Sequence, residues 1–169
     1  KDYEEYVKVI CVSVIANANK YGLQKPYLIL EPGRSIVGEA GVTLYTAGRI
    51  KEIKGIKNYI AIDGGMFENP RFALYQAKYT VALGNRMNDN YEKKYTIAGK
   101  CCESGDIIQP KVALPQSVTK GDILAVCTTG AYNYSMASHY NRFLKPAVVM
   151  LEQGKSFVAV RRETLDDLI

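Results

Sequence analysis

Residues 94–108 read Lys-Tyr-Thr-Ile-Ala-Gly-Lys-Cys-Cys-Glu-Ser-Gly-Asp-Ile-Ile. Apolar and polar residues alternate from Lys94 to Gly99, the period of a strand with one buried face. The run then breaks at Cys101, and Gly105 with Asp106 turns the chain into a second apolar start at Ile107 and Ile108. The turn carries a thiol, Cys102, beside a carboxylate, Glu103, so soft and hard chemistry share one strand end. Taken alone, these residues read as an ordinary turn with a buried thiol.

The same texture extends on both sides. Short runs of strand character cover residues 41–53, 58–63, 78–83, 122–127, 146–151 and 156–161, separated by Gly, Pro, Asn and Asp. Residues 120–122 and 152–155 read as hairpin-like turns. Helical pieces interrupt the strands at 70–78 and 132–141, and a last turn at 164–169 has Thr164 as its cap. Residues 36–169 are therefore expected to form a mainly β domain, an antiparallel barrel or sandwich with short helices.

The first 35 residues differ. Tyr3, Tyr6, Val7, Ile10, Cys11, Val14, Ile15 and Ala18 fall at helical spacing, with Asp2 as cap and Gly22 as stop. The run 27–30, Tyr-Leu-Ile-Leu, is apolar without alternation, as in a strand buried on both faces of a parallel sheet. A complete (β/α)₈ barrel takes about 250 residues, so 1–35 is expected to be at most its closing helix–strand unit. Glu31-Pro32-Gly33-Arg34 would then lie at the C-terminal end of a barrel strand, the face that carries chemistry in such enzymes. The chain opens at Lys1 inside a helical pattern, which points to a piece of a longer protein.

The net charge of +5 comes from 22 basic and 17 acidic residues scattered along the chain. No basic run marks a nucleic-acid surface, and no apolar stretch is long enough to span a bilayer. The four cysteines include no C-x-x-C pair, and His139 is the single histidine, so zinc-ligand spacing is missing. Free thiols in a reducing cytoplasm are the economical reading.

Four segments could carry chemistry. Gly33 allows close approach of an anion to the backbone, and Arg34 adds a fork of donors. Asp63-Gly64-Gly65-Met66 is a permissive strand end. Arg71 and Tyr75 are four apart on one helix face, a guanidinium and a phenol suited to a carboxylate. Thr128-Thr129-Gly130-Ala131-Tyr132 leads into a helix start, where an anion can be bound and Tyr132 can add a hydroxyl. Each has a bland alternative: a Pro-Gly turn, a tight loop, a solvent-facing stacked pair, a capped helix with Tyr132 in the core. His139 has no role in the chemistry.

Together, EPGRSIV at 31–37, DGGM at 63–66, NPRFALY at 69–75, CESGD at 102–106, TGAY at 129–132, KPAVV at 145–149 and RRETLDDL at 161–168 resemble the C-terminal portion of the diaminopimelate decarboxylases. These are fold-type III pyridoxal-phosphate enzymes. Ornithine- and arginine-type decarboxylases have a similar layout, and the CESGD form leans toward the diaminopimelate branch.

The resemblance implies pyridoxal 5'-phosphate as cofactor and conversion of meso-2,6-diaminopimelate to L-lysine and carbon dioxide, the last step of lysine biosynthesis. It implies a cytoplasmic homodimer with active sites shared between subunits. It places Glu31, Gly33, Arg34 and Tyr132 at the cofactor, and Arg34, Arg71, Tyr75, Glu103 and Tyr132 at the substrate. Cys102 takes a catalytic role, with Cys102 and Glu103 reaching into the partner subunit's site. The family's cofactor-bonding lysine falls on an early barrel strand outside this chain, so the 169 residues alone are not expected to decarboxylate. The alternatives are an ornithine- or arginine-type decarboxylase, a non-catalytic dimerising regulator, and a stand-alone β-barrel binding module.

Overall fold

The molecule, a computed structural model that describes residues 2–169, divides into two units, one ending at Pro32 and one spanning Gly33–Ile169. The first unit is built on α1 (Tyr3–Lys20). Asp2 caps it by accepting the Glu5 N–H at 3.0 Å, and Glu4 and Glu5 sit where the helix dipole favours acids. Gly22, at φ 62°, ends it. The expected strand over 27–30 belongs to no sheet. A strand needs a neighbouring ladder for its N–H and C=O groups, and no other stretch of the described residues supplies one. Its side chains are exposed, Tyr27 fully and Ile29 to 83%.

The second unit holds α2 (Arg34–Val37), α3 (Arg71–Tyr75), α4 (Asn133–Met136) and eight strands. These are β1 (Val42–Ile53), β2 (Lys57–Ile62), β3 (Val81–Leu83), β4 (Lys93–Ala98), β5 (Ile107–Leu114), β6 (Ile123–Cys127), β7 (Val148–Glu152) and β8 (Lys155–Val160). Six form one sheet in the order β3-β6-β1-β2-β4-β5. All its pairs are antiparallel except β2 with β4.

Register shifts curl this sheet. The register of β1 against β2 shifts between Ala47 and Ile50, at Gly48. The register of β4 against β5 shifts opposite Pro110 and Lys111, and Lys111 has φ 56°. Bulges of this kind bend and twist a strand. The two edges then approach, and the Tyr79 N–H donates to Gln109 Oε1 at 2.8 Å across the gap. The result is a nearly closed barrel.

Alternate residues point inward, as strand geometry requires. Tyr45 and Ala47, Ile60 and Ile62, Val81 and Leu83, Tyr95 and Ile97, Leu124 and Val126, with Ile108, Val112 and Leu114, fill the interior. The hairpin β7–β8 stands apart as a second sheet. Its turn places Gln153 at φ 48° and Gly154 at φ 76°, a paired left-handed turn that matches strand twist. The last turn, Leu165–Leu168, is 3₁₀ rather than α and carries a full capping box between Thr164 and Asp167.

Candidate active site

Strand directions place the candidate residues at one rim. Both β2 and β6 run antiparallel to β1, and β4 runs parallel to β2. So the loops that follow β2, β4 and β6, and the one that enters β5, leave the same end of the barrel. These loops carry residues 63–70, 99–106 and 128–139.

The first cluster is built on Tyr132. Thr129 N–H donates to Gly41 O and Gly130 N–H to Gly38 O, both at 3.0 Å, which ties the loop after β6 to the segment carrying α2. Two glycines make this approach possible: a Cβ on Gly130 would collide with Val37 O, and one on Gly41 with the Gly130 backbone. Arg34 Nη1 then donates to Ala131 O at 2.8 Å. The Arg34 guanidinium lies 5.5 Å from the centre of the Tyr132 ring, and that of Arg71 lies 5.8 Å from it. Arg71 also lies 5.1 Å from the Tyr75 ring, the stacking its four-residue spacing suggested. Arg71 Nη1 meets Met136 Sδ at 3.4 Å, and its buried Nε has no hydrogen-bond partner among the described residues. Two cations thus share one exposed phenol, an arrangement that leaves donors free for an anion.

The structure brings Gly33 to the same place. Its hydrogen points at the Tyr132 hydroxyl, and a Cβ there would collide with that oxygen. Glu31 lies in the other unit.

The second cluster is the 101–106 loop. Glu103 Oε1 accepts from Gly105 N–H at 3.2 Å and Ser104 Oγ at 3.3 Å, and Oε2 accepts from Tyr140 Oη at 3.3 Å. The Gly105 N–H, then Tyr140 and Ser104, hold this exposed carboxyl below its ordinary range, so it is ionised at neutral pH. Cys102 is exposed, and its N–H donates to Asn141 Oδ1 at 2.8 Å. Buried Cys101 is inert by contrast: burial, then the Asp106 carboxylate, pushes its thiol up to about 11. No hydrogen bond or ion pair among the described residues links Cys102 or Glu103 to Arg34, Arg71, Tyr75 or Tyr132. The two clusters share a rim without touching through polar contacts.

Sequence reasoning missed the residues that hold the clusters. Asp106 looked like a turn residue. It is a buried pin: its carboxylate accepts from Met66 N–H at 2.6 Å and Cys101 N–H at 2.7 Å. Gly65 and Gly99 flank it so closely that a Cβ on either would meet its oxygens. Their pairing with a downstream Asp was the available signal. Lys100 lies 4.6 Å from the Phe143 ring centre and 5.5 Å from that of Phe67, joining three loops. His139 meets Glu163 Oε2 at 2.7 Å, and Glu163 also accepts from Lys145 N–H, a structural tie at the base of the Tyr140–Asn141 segment.

Glu68 braces the 63–69 loop from inside. Its Oε1 accepts from Tyr45 Oη at 2.6 Å and Gly65 N–H at 3.2 Å. Burial pushes its carboxyl up to about 7. A carboxyl raised in the folded state favours folding while protonated, and that advantage is lost as pH rises from about 4.5 through 7. Glu68→Gln keeps the acceptor and removes the charge. It is expected to match the wild type at pH 4 and to be more stable at pH 8 by about 3 kcal/mol. Thermal unfolding of both proteins at the two pH values checks this; an equal gap at both contradicts it.

Residues 9–130 match the family described as pyridoxal-dependent decarboxylase, C-terminal sheet domain. Diaminopimelate decarboxylase of Bacillus subtilis is 52% identical over 165 residues, covering 98% of this chain and 37% of that protein. The Staphylococcus aureus diaminopimelate decarboxylase is 51% identical over 166 residues, covering 98% and 39%. A solved diaminopimelate decarboxylase from M. jannaschii, in complex with L-lysine, has a TM-score of 0.77 at 36% identity, covering 91% of this chain and 35% of that one. The chain spans a little over a third of the length of these curated relatives.

Proposed function

Since the chain belongs to the pyridoxal-dependent decarboxylases, of which it carries the C-terminal sheet domain, we propose that it is part of a diaminopimelate decarboxylase. The full protein converts meso-2,6-diaminopimelate to L-lysine and carbon dioxide. The observation that carries this reading is the pair of guanidiniums, Arg34 and Arg71, gathered on Tyr132 with Tyr75 behind. Diaminopimelate differs from lysine and ornithine by a second amino-acid head. A site selecting it needs a carboxylate receptor and an anion for the distal ammonium. Arg71 and Tyr75 supply the first, and ionised Glu103 supplies the second.

Pyridoxal phosphate fits the residues present. The bare Cα of Gly33 lets the Tyr132 hydroxyl close onto the backbone, and Arg34 stands beside the same ring, so a phenol hydroxyl and a guanidinium are gathered where an anionic group can be met. When bound, the cofactor supplies the electron sink for loss of carbon dioxide. Gly33, Arg34 and Tyr132 would hold its anionic end, with Glu31 nearby in sequence. Arg71 and Tyr75 orient the distal carboxylate, which leaves the reacting head in one position.

Following the family likeness, the reading includes a homodimer in which each 101–106 loop serves the partner's site, bringing Cys102 and Glu103 to it. Residues 1–35 are read as the closing unit of a barrel supplied by the remainder of the protein, which accounts for the exposed Tyr27 and Ile29. The enzyme works in the cytoplasm.

Glu103→Gln in the full-length enzyme tests the assignment of the distal ammonium. A charged hydrogen bond becomes a neutral one, and kcat/KM for meso-diaminopimelate is expected to fall about tenfold to a hundredfold, mostly through KM. Unchanged kinetics would remove Glu103 from the site.

A further inference from the structure

Arg71 opens α3 after β2 and Tyr132 lies on the loop after β6, so their ring contact joins two separate parts of the chain. A buried hydrogen-bonded chain runs beneath them. Tyr79 Oη donates to Asn69 Oδ1 at 3.1 Å, and Asn133 Nδ2 donates to Tyr79 Oη at 3.5 Å. All three side chains are buried, Asn69 to 1% exposure. Asn69 Nδ2 and Asn133 Oδ1 make no hydrogen bond among the described residues, so each amide is held in the chain through its other polar atom. Tyr79 itself is anchored from a third side, since its N–H donates to Gln109 on β5.

The placement along the chain gives this link its consequence. Asn69 is separated from Arg71 by Pro70 alone, whose ring restricts the backbone between them. Asn133 directly follows Tyr132 and opens α4, which also presents Met136 to Arg71. A phenol that grips both amides therefore holds the start of α3 and the start of α4 at a set separation. The Tyr79 ring is part of the barrel core, so the reference point is rigid.

We infer that Tyr79 is a positioning residue: through Asn69 and Asn133 it fixes the Arg71 guanidinium against the Tyr132 ring, and so sets how tightly the site grips a substrate carboxylate. The inference rests on the function proposed above. It needs no contact between Tyr79 and the substrate. Misplacing binding groups by about 1 Å can cost up to a hundredfold in rate, so a buried brace of this kind shapes specificity from below the surface.

Tyr79→Phe in the full-length holoenzyme tests it, with Tyr95→Phe as the matched control. Tyr95 is a core phenol whose buried hydroxyl has no partner among the described residues. Tyr79→Phe is expected to raise KM for meso-diaminopimelate about tenfold with kcat within twofold, and Tyr95→Phe to leave KM unchanged. Amide hydrogen exchange gives the readout independent of activity. In Tyr79→Phe, exchange should quicken together over residues 69–75 and 131–136, and in Tyr95→Phe over neither. Faster exchange in one segment alone, or in both variants equally, overturns the inference, as does an unchanged KM in an active enzyme. If Tyr79→Phe does not fold, Asn133→Ser carries the same expectation for residues 69–75. A wild type inactive on diaminopimelate would overturn the proposed function and leave the coupling to be judged by exchange.

Discussion

Arg71→Ala in the full-length enzyme is expected to lower kcat/KM for meso-diaminopimelate by about 10²- to 10⁴-fold. Arg71 makes no hydrogen bond to a carboxylate or carbonyl among the described residues, and it is held on both sides by Tyr75 and Tyr132. A fork held this way can meet a carboxylate with two charge-assisted hydrogen bonds, each worth about 1.5–3 kcal/mol. Losing both removes about 3–6 kcal/mol of binding that is present in ground state and transition state, so KM carries most of the loss. Arg71→Lys keeps the charge and loses the fork, and should fall between. Steady-state kinetics on the three proteins, with bound-cofactor absorbance as a check on folding, decides it. An Arg71→Ala enzyme within threefold of wild type would move Arg71 to a structural role.

Asp106→Ala is expected to have the largest effect on stability, about 3–5 kcal/mol. One buried carboxylate answers two backbone N–H groups, those of Met66 and Cys101. Alanine leaves both donors unpaired, at about 1–3 kcal/mol each, and opens a void between Gly65 and Gly99. Asp106→Asn fits the space, yet its amide nitrogen must face one of the two donors, so about half the loss should remain. Because the pin joins the loop after β2 to the loop before β5, substrate affinity should fall along with the melting temperature. Thermal unfolding of the three proteins checks the order; an Asp106→Ala protein as stable as wild type contradicts it.

Much of the barrel was legible because its strands obey local rules. The alternation of Tyr95 and Ile97, or of Leu124 and Val126, marks inward faces, and Gln153-Gly154 marks a left-handed turn. The closure was not legible. It depends on bulges at Gly48 and at Pro110–Lys111 and on a parallel pairing of β2 with β4, all set by partners distant in sequence. The run 27–30 shows the converse limit: apolar continuity reports a strand's appetite for burial, while a ladder requires a neighbour.

The candidate site divides the same way. Arg71 and Tyr75 were paired by helical spacing. Arg34 and Tyr132 stood out as possible anion binders on separate segments, and only the fold puts both cations on one ring. Glu68, Tyr79 and Asn133 carried no local signal, since a buried polar group acquires its meaning from the atoms that satisfy it.

The measurement that tests the account most directly is carbon dioxide release by the full-length protein with pyridoxal phosphate, from meso-diaminopimelate, ornithine and arginine side by side. Release from diaminopimelate alone is the predicted result, and it would support Arg71 and Glu103 as readers of the distal head. Release from ornithine or arginine at comparable rates, or from none of the three, would contradict it.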